Sequence, residues 1–271
     1  MIRDIEGRQN HSVKLARKLQ RKKYRRERAL MVVEGLDLLC IAVEAGAEIG
    51  DVLVRRDVFP RVPEELRCHA EAGAVDIGLC TEETMSYASS LGGAADVIFT
   101  CRQPMWSLRD LTMEHGVTVY LEAVGDPGNV GTLVRSCVGF GALGLISSPG
   151  TADPFSPKAM RAGMGAQFLL PVVTEVAQAD IRARLEKVTA AAGRVPYVLV
   201  ADPHEGVDLR EIRCRDGLLL VLGSERHGVG GEWAAYDRVS IPQARFDSLN
   251  VAMAGTILLY ELSGSGLPGS R

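Results

Sequence analysis

Short apolar runs typical of β-strands alternate with helical segments along most of this 271-residue chain. Strand-like runs occupy residues 29–35, 51–56, 75–80 and 96–102, and a second series begins at residue 117. Repeats of this length predict an α/β fold, in which helices cover a sheet. A stretch without a clear period, residues 103–116, separates the two series. We therefore predict two α/β units at residues 1–105 and 117–265, a linker at 106–116 and a flexible tail at 266–271.

The second series contains the most apolar segments of the chain. Residues 117–124 (VTVYLEAV) are apolar almost without a break, which is typical of a strand covered on both faces of its sheet. Residues 217–223 (GLLLVLG) have the same character. The last helix, predicted at residues 248–262, is apolar nearly all round, so we expect it to be buried on all sides.

Composition excludes several classes of protein. No run approaches the roughly 18 apolar residues that a membrane span needs, and the N-terminus lacks the apolar stretch of a secretory signal. The six cysteines are scattered without a CxxC pair, which argues against zinc ribbons and disulfide scaffolds and fits a reducing cytosol. The sequence also offers no metal-ligand cluster. These features predict a cytoplasmic protein with neither a bound metal nor a membrane partner.

Positive charge is concentrated at the N-terminus. Residues 1–28 hold eleven Lys and Arg against three acids, although the whole chain has a net charge of −3. Self-repulsion at this density favours an anionic partner, so the segment predicts binding to a polyphosphate. A solvated helix face is the alternative explanation.

Three glycines match the GxGxxG pattern of dinucleotide-binding proteins, namely Gly139, Gly141 and Gly144. That pattern works when the glycines follow a strand and open a helix, so that helix amides face the pyrophosphate. Here they end a predicted helix and lead into a strand. A nicotinamide-dependent oxidoreductase is therefore disfavoured, and the glycines are better explained as a helix C-terminus.

The segment VGDPGNVGTLVR at residues 124–135 joins a buried strand to a helix. After the Gly-Asp-Pro-Gly turn, Asn129 can cap a helix whose first turns present Gly131 and Arg135. These two positions are four apart and therefore share a helix face. At Gly131 a ligand can approach the backbone closely, and the Arg135 guanidinium lies above it. This combination suits a phosphate. An ordinary capped helix with an exposed arginine is the alternative.

Two later segments also place polar residues after apolar strands. In LGSERHG, at residues 222–228, Glu225 lies beyond the carboxyl end of a strand, where open α/β sheets bind ligands. In IPQARFDSLN, at residues 241–250, Ser248 and Asn250 stand at the mouth of the last helix. A surface acid in a turn and a serine N-cap are the simpler explanations.

In this order and spacing, the three segments resemble the signature motifs of the SpoU (TrmH-type) RNA 2'-O-ribose methyltransferases, a family of the SPOUT superfamily. Residues 153–166 resemble the family's connector, with Arg161 in the expected place, and residues 31–54 resemble its N-terminal substrate-binding domain, which is similar to ribosomal protein L30e. The residues that match the motifs are Asn129, Gly131 and Arg135; Gly223, Ser224 and Glu225; and Ile241, Pro242, Ser248, Leu249, Asn250 and Val251.

The resemblance implies a small L30e-like α/β sandwich followed by a SPOUT α/β domain with a C-terminal trefoil knot. It also implies S-adenosylmethionine as cofactor, no metal, and a homodimer through the knotted domain in which the partner subunit completes the pocket. The sequence departs from the family pattern at Gln243, where methionine is frequent, and in a shortened loop before Ser248. The residues implied to hold the cofactor are Leu222, Gly223, Ser224, Ile241, Pro242, Leu249 and Val251.

The resemblance further implies methyl transfer to a ribose 2'-hydroxyl, with Arg135 as the catalytic arginine. A guanidinium is a poor general base, because removing its proton near pH 7 costs roughly 7 kcal/mol. We therefore expect Arg135 to grip the adjacent phosphate and polarise the hydroxyl, with phosphate or water relaying the proton. Asn129 and Asn250 are expected to orient Arg135 or the ribose, Ser248 to hydrogen-bond in the pocket, and Glu225 to fix the arginine electrostatically.

The N-terminal unit is expected to hold the RNA. About six phosphate contacts to single-stranded RNA give a log–log salt slope near −4. Ribosomal RNA, most simply 23S, is preferred because the L30e-like extension is more typical of rRNA enzymes; housekeeping and antibiotic-resistance roles both stay open. The alternatives are a tRNA 2'-O-methyltransferase, a knotted methyltransferase acting on a base nitrogen, and a catalytically silent RNA-binding protein. The residues expected to contact RNA are Arg17, Lys18, Arg21, Lys22, Arg25, Arg26 and Arg161.

Overall fold

The computed structural model describes residues 1–90, 95–193, 195–209, 212, 217–224, 228–245 and 248–263. The chain divides into two compact units. Unit 1 comprises Met1–Pro104 and Phe155–Phe168, and unit 2 comprises Met105–Pro154 and the chain from residue 169 onward. The segment Phe155–Phe168 therefore differs from the predicted boundaries, which assigned it to the second unit.

Unit 1 is a five-stranded mixed sheet covered by helices. Its elements in chain order are β1 (Ile2–Ile5), α1 (His11–Leu19), α2 (Lys22–Arg28), β2 (Leu30–Glu34), α3 (Leu36–Glu44), β3 (Ile49–Arg55), α4 (Glu64–Glu71), β4 (Asp76–Cys80), α5 (Glu82–Ala88), β5 (Val97–Arg102) and, from the second segment, α7 (Pro157–Ala162). The strand order is β1-β4-β3-β5-β2, with β5 antiparallel to both of its neighbours. Helix α7 packs against β2, and this contact places Phe155–Phe168 in unit 1.

Local sequence explains where most of these elements begin. Asn10 caps α1 by accepting a hydrogen bond from the backbone N–H of Ser12, and Thr81 caps α5 by accepting one from the N–H of Thr84. The four predicted strands form at β2, β3, β4 and β5. Strand β1 was not predicted, because only two of its four residues are apolar.

The corner between α1 and α2 depends on Arg25. Its side chain is 2% exposed, and its guanidinium donates hydrogen bonds to the carbonyls of Leu19 and Gln20, each at 2.9 Å. These carbonyls end α1 and lack partners further along the helix, so the cation caps that end. The expectation that Arg25 contacts RNA phosphates is therefore corrected, because its donors face the protein interior.

Unit 2 contains a seven-stranded sheet in which every neighbouring pair is parallel. Its elements are β6 (Gly116–Glu122), α6 (Pro127–Gly139), β7 (Gly144–Ser147), β8 (Val172–Val173), α8 (Gln178–Ala192), β9 (Tyr197–Ala201), β10 (Val207–Asp208), β11 (Gly217–Gly223), β12 (Asp237–Ser240) and α9 (Val251–Leu262). The strand order is β10-β12-β9-β11-β6-β7-β8. The central strands β6 and β11 are buried for five consecutive residues each, as expected for strands covered on both faces.

The segment before β6 is not a simple tether. Residues 103–115 contain no helix or strand, but Leu111 and Met113 are each 2% exposed and belong to the core of unit 2. The glycines of the GxGxxG pattern lie where helix α6 ends and β7 begins, as predicted. Gly141 has a φ of +70°, a conformation that glycine adopts without strain.

Helix α9 is buried on one side only. Leu258, Leu259 and Leu262 are almost completely buried, whereas Met253 is 63% and Tyr260 61% exposed. The prediction that this helix is buried all round is therefore wrong for the single chain. None of the helices within the described residues is both long and apolar enough to cross a membrane. The trefoil knot implied by the resemblance stays a prediction.

Candidate active site

A cavity of about 290 Å³ lies in unit 2, where the adjacent strands β11, β9 and β12 end. Loops that follow the carboxyl ends of parallel strands are where open α/β sheets bind ligands. Of the predicted cofactor residues, six line this cavity together with Ser248, while Pro242 is exposed and does not line it. The six are Leu222, Gly223, Ser224, Ile241, Leu249 and Val251.

The turn after β11 brings backbone close to the cavity. Ser224 and Gly228 exchange two backbone hydrogen bonds, of 3.1 and 2.9 Å. A Cβ added at Gly223 would lie 2.2 Å from the carbonyl oxygen of Gly228, so a side chain at this position would force the turn open. This close approach explains the glycine of the second motif. Glu225, predicted to act electrostatically, lies outside the described residues.

A carboxylate from the neighbouring strand holds the far end of the same turn. Glu122 is the last residue of β6, directly opposite Gly223 in the sheet register. Its Oε2 accepts a hydrogen bond of 3.0 Å from the backbone N–H of Gly230. Glu122 was not among the predicted site residues; it is a charged residue at the end of a strongly apolar strand, but only the strand order places it beside the second motif.

The third wall of the cavity follows β9 and contains Asp202, Pro203 and His204. Burial alone would raise the pKa of Asp202, but hydrogen bonds from the N–H groups of His204 and Glu205, with the charge of Arg238, hold that pKa below its ordinary value. The Arg238 guanidinium contacts the Asp202 carboxylate at 2.6 Å. This wall was not predicted from the sequence, although ligands bind beyond the carboxyl ends of parallel strands and β9 is such a strand.

Gln243 presents an unsatisfied polar atom at the cavity. Its side chain lines the cavity, and its buried Oε1 has no hydrogen-bond partner among the described residues. A buried acceptor without a partner costs free energy, so replacing Gln243 is a direct test of whether its side chain takes part in binding at this cavity. The departure from the family pattern at residue 243 therefore falls on the cavity wall.

Two asparagines connect the first and third motifs. The Nδ2 of Asn250 donates a hydrogen bond of 3.1 Å to Oδ1 of Asn129, while its Oδ1 accepts from the N–H groups of Ala252 and Met253. Asn250, rather than Ser248, is thus the N-cap of α9. Helix α6 is likewise capped by Asp126 and not by Asn129, because Pro127 sets the start of the helix three residues earlier than predicted.

Arg135 lies on the exposed side of α6 and does not line the cavity of its own chain. No hydrogen bond or ion pair to it is formed by the part of the chain that the structure describes. The helix that carries it packs against α9, where the hydroxyls of Ser136 and Thr256 lie 2.7 Å apart. The structure therefore brings Asn129 and Asn250 together and leaves the guanidinium facing outward.

The remaining predicted RNA contacts lie on the surface of unit 1. They are exposed and, apart from Arg17 and Arg161, belong to the corner between α1 and α2. No group of three or more His, Cys, Asp or Glu side chains within the described residues is arranged to hold a metal ion. The exposed residues are Arg17, Lys18, Arg21, Lys22, Arg26 and Arg161.

Family comparisons agree with this geometry. Residues 116–260, more than half of the chain, match the SpoU rRNA methylase family, and residues 10–94 match the MRM3-like substrate binding domain. The chain belongs to the SpoU rRNA methylase family. The matched region contains the ends of all three strands at the cavity, all of α6 and most of α9.

Individual relatives span nearly the whole chain. The 23S rRNA (guanosine(2553)-2'-O)-methyltransferase RlmP of Bacillus subtilis (strain 168) is 26% identical over 97% of this chain and 100% of its own length. A 23S rRNA (uridine(2479)-2'-O)-methyltransferase of Streptomyces viridochromogenes is 29% identical over 85% of this chain and 81% of its own. The AdoMet-bound rRNA methyltransferase from Sinorhizobium meliloti superposes with a TM-score of 0.82 at 28% identity, covering 98% of this chain and 99% of that one.

Proposed function

We propose that this protein transfers a methyl group from S-adenosylmethionine to a ribose 2'-hydroxyl of 23S ribosomal RNA. Family membership supports the reaction, and the relatives named above support the RNA. The observation that carries the proposal is the cavity at the ends of β9, β11 and β12, since the second and third motifs meet there. A cytoplasmic location follows from the same substrate.

The residues of the cavity fit the cofactor. Its volume lies near the lower end of the range for small-molecule sites, about 300–1,000 Å³. Leu222, Ile241 and Leu249 supply an apolar lining, and Gly223 keeps the backbone free to approach a ligand. Gln243 offers an acceptor that lacks a donor within the described residues. Together these groups suit an apolar, planar portion of a ligand such as a purine.

The protein contributes binding and orientation to the reaction. When bound, S-adenosylmethionine supplies an electrophilic methyl group on a sulfonium. Arg135, with its exposed fork of N–H donors, suits a phosphate next to the reacting ribose. Asn250 is fixed by the N-cap of α9 and in turn fixes Asn129 on α6, so both amides are held in place before RNA arrives.

We further propose a homodimer in which α9 faces the partner subunit. Met253, Ile257 and Tyr260 recur at helical spacing on this helix and are 63%, 39% and 61% exposed. The ring of Tyr260 also contacts Phe140, the residue directly after α6, edge to face with the ring centres 5.7 Å apart. A stripe of large apolar side chains on an otherwise buried helix is typical of a subunit interface. Such a dimer would bring Arg135 of one subunit towards the cavity of the other.

The proposed reaction is tested by methyl transfer to an unmodified 23S rRNA transcript. We expect incorporation of label from methyl-tritiated cofactor and resistance of a single phosphodiester bond to alkaline cleavage, since a methylated 2'-oxygen cannot attack the adjacent phosphate. Label on a base, or on tRNA but not on 23S rRNA, contradicts the proposal.

The role of Arg135 is tested by Arg135→Lys. A lysine keeps the charge but loses the planar fork, so we expect kcat to fall about a hundredfold while the Kd for RNA changes little. Arg109→Lys, outside the site, is the matched control. A fully active Arg135→Lys enzyme would refute the role assigned to the guanidinium.

A further inference from the structure

In unit 1, one of the predicted RNA contacts and a second arginine that was not predicted lie on the same aromatic ring. Arg8 lies in the turn between β1 and α1, Arg17 lies on α1, and Tyr87 lies on α5. The guanidinium carbons of Arg8 and Arg17 are 4.8 and 5.1 Å from the centre of the Tyr87 ring. We propose that these three residues form a phosphate-binding site for the backbone of single-stranded RNA, an inference that rests on the proposed function.

The ring holds both guanidiniums in place before RNA binds. A free arginine side chain loses rotamer entropy when a ligand orders it. Contact with an aromatic face restrains the side chain in advance while leaving its N–H groups able to donate. Both arginines are exposed, and Tyr87 is half-buried against the core of unit 1. Tyr87 is therefore a rigid support and the arginines are the binding groups.

Charge at this cluster favours an anion. Both guanidiniums lie within about 5 Å of the same ring centre, so they are no more than about 10 Å apart, roughly the screening length in 0.1 M salt. Lys14, three residues before Arg17, and Lys18 are exposed on α1, and Arg21 is exposed at the start of α2. A phosphate between the two guanidiniums would relieve their repulsion.

One acid competes for this site. Glu83 contacts Arg8 at 3.2 Å, with the two side chains 82% and 57% exposed. An exposed ion pair of this kind contributes little stability. A phosphate with two guanidiniums can therefore displace Glu83 from Arg8. The Arg17 guanidinium donates a hydrogen bond of 3.4 Å to the side-chain oxygen of Gln20.

The shape of the charged surface favours a nucleic acid backbone over a single anion. The cations follow the length of α1 and continue around the corner into α2, where Lys22 and Arg26 are exposed. A row of cations next to an aromatic side chain is typical of surfaces that follow a single strand. An acidic protein segment is the competing partner, and the experiment distinguishes the two.

The experiment measures the Kd of the full-length protein for a 23S rRNA transcript between about 50 and 300 mM salt, a range over which phosphate contacts dominate the salt dependence. We expect Tyr87→Leu to weaken binding about fivefold at low salt and Tyr87→Phe, which keeps the ring, to leave it nearly unchanged. Arg8→Gln and Arg17→Gln should each lower the salt slope by about 0.7. Glu83→Gln should strengthen binding, because it removes the competitor.

Two controls keep the result interpretable. Melting temperature and cofactor binding show whether a variant is folded. Adding Tyr87→Leu to the double variant Arg8→Gln, Arg17→Gln should weaken RNA binding no further, because the ring then has no arginine to hold. Wild-type affinity in Tyr87→Leu and Arg8→Gln, or equal affinity for polyglutamate and RNA, would overturn the inference. Because these assays involve no methyl transfer, an inactive enzyme that still depends on Tyr87 for RNA binding would count against the proposed function alone.

Discussion

Two adjacent arginines show how far residue type determines role in this protein. Arg26 is exposed on α2, whereas Arg25 is 2% exposed and caps the end of α1. Both belong to the same basic run, and charge density alone assigned both to RNA. The difference arises because α2 turns against the end of α1, a tertiary contact that no local pattern encodes. Sequence thus predicted the basic surface but not which of its members is structural.

The unsatisfied acceptor of Gln243 predicts that one substitution will raise the stability of the protein and weaken its affinity for the cofactor. In Gln243→Met, a flexible apolar side chain of similar length replaces the orphaned amide. The ligand-free protein should be more stable, by up to about 1 kcal/mol, because a buried polar group without a partner is removed. The Kd for S-adenosylmethionine should rise about tenfold, because the ligand loses one hydrogen bond.

Both quantities are measurable without turnover, by thermal melting and by isothermal titration with the cofactor or its demethylated product. Gln103→Met, a substitution in unit 1 outside the cavity, is the matched control. An unchanged cofactor Kd in Gln243→Met would show that the carboxamide takes no part in binding.

At the scale of elements, strands were easier to predict than the loops that follow them. The apolar runs of β6 and β11 were evident because both faces of each strand are buried. The order of strands in the sheet was not, since β11 lies between β9 and β6, which are far apart in sequence. Only that order places Asp202 beside Ser224, and Glu122 beside the turn after β11. The motifs therefore predicted the walls of the cavity that follow β11 and β12, but not the wall that follows β9.

The bond from Glu122 to Gly230 predicts that β6 positions the cofactor turn. Glu122→Ala removes the acceptor, so the turn after β11 loses one of its anchors. We expect the KM for S-adenosylmethionine to rise about tenfold, because a charge-assisted hydrogen bond contributes roughly 1.5–3 kcal/mol before solvent exposure reduces it. The Kd for RNA should stay the same.

Glu122→Gln distinguishes a positioning role from a purely structural one. Its amide oxygen can still accept from Gly230, so it should restore most of the cofactor affinity that Glu122→Ala loses. Wild-type KM in Glu122→Ala would exclude the positioning role, and equal losses in both variants would show that charge, rather than the hydrogen bond, matters at this position.

At the scale of the whole molecule, a single chain holds a cavity and an outward-facing arginine that do not meet. Gly223 and Gln243 line the cavity, while Arg135 lies on the exposed side of α6. The apolar stripe on α9 offers an explanation, because a partner subunit there would cover it and bring a second α6 with it. Activity would then belong to the dimer. The family resemblance implied such a dimer, but the apolar pattern of the helix could not show it, since a helix apolar all round gives the same pattern whether its outer face meets the core or a partner.

Disrupting the stripe should separate the subunits. Ile257→Arg places a charge in the middle of the proposed interface, where an unpaired buried cation is costly. We expect light scattering to show a monomer and methyl transfer to fall by about tenfold or more. The melting transition of each unit should survive. Lys187→Arg, on α8, is the control for an added guanidinium elsewhere in unit 2. A dimeric, fully active Ile257→Arg protein contradicts the proposed interface.

Subunit complementation decides whether Arg135 acts on its own cavity or on that of its partner. Arg135→Ala removes the guanidinium, and Gly223→Val blocks the cavity because its side chain would collide with the backbone of Gly228. Each homodimer should be inactive. In a heterodimer purified through two different tags, the Arg135→Ala subunit supplies an intact cavity and the Gly223→Val subunit supplies the arginine. If the site forms between subunits, one of its two copies is complete, and about half of the wild-type activity should return. If Arg135 serves its own chain, neither copy is complete and the heterodimer should stay as inactive as its parents.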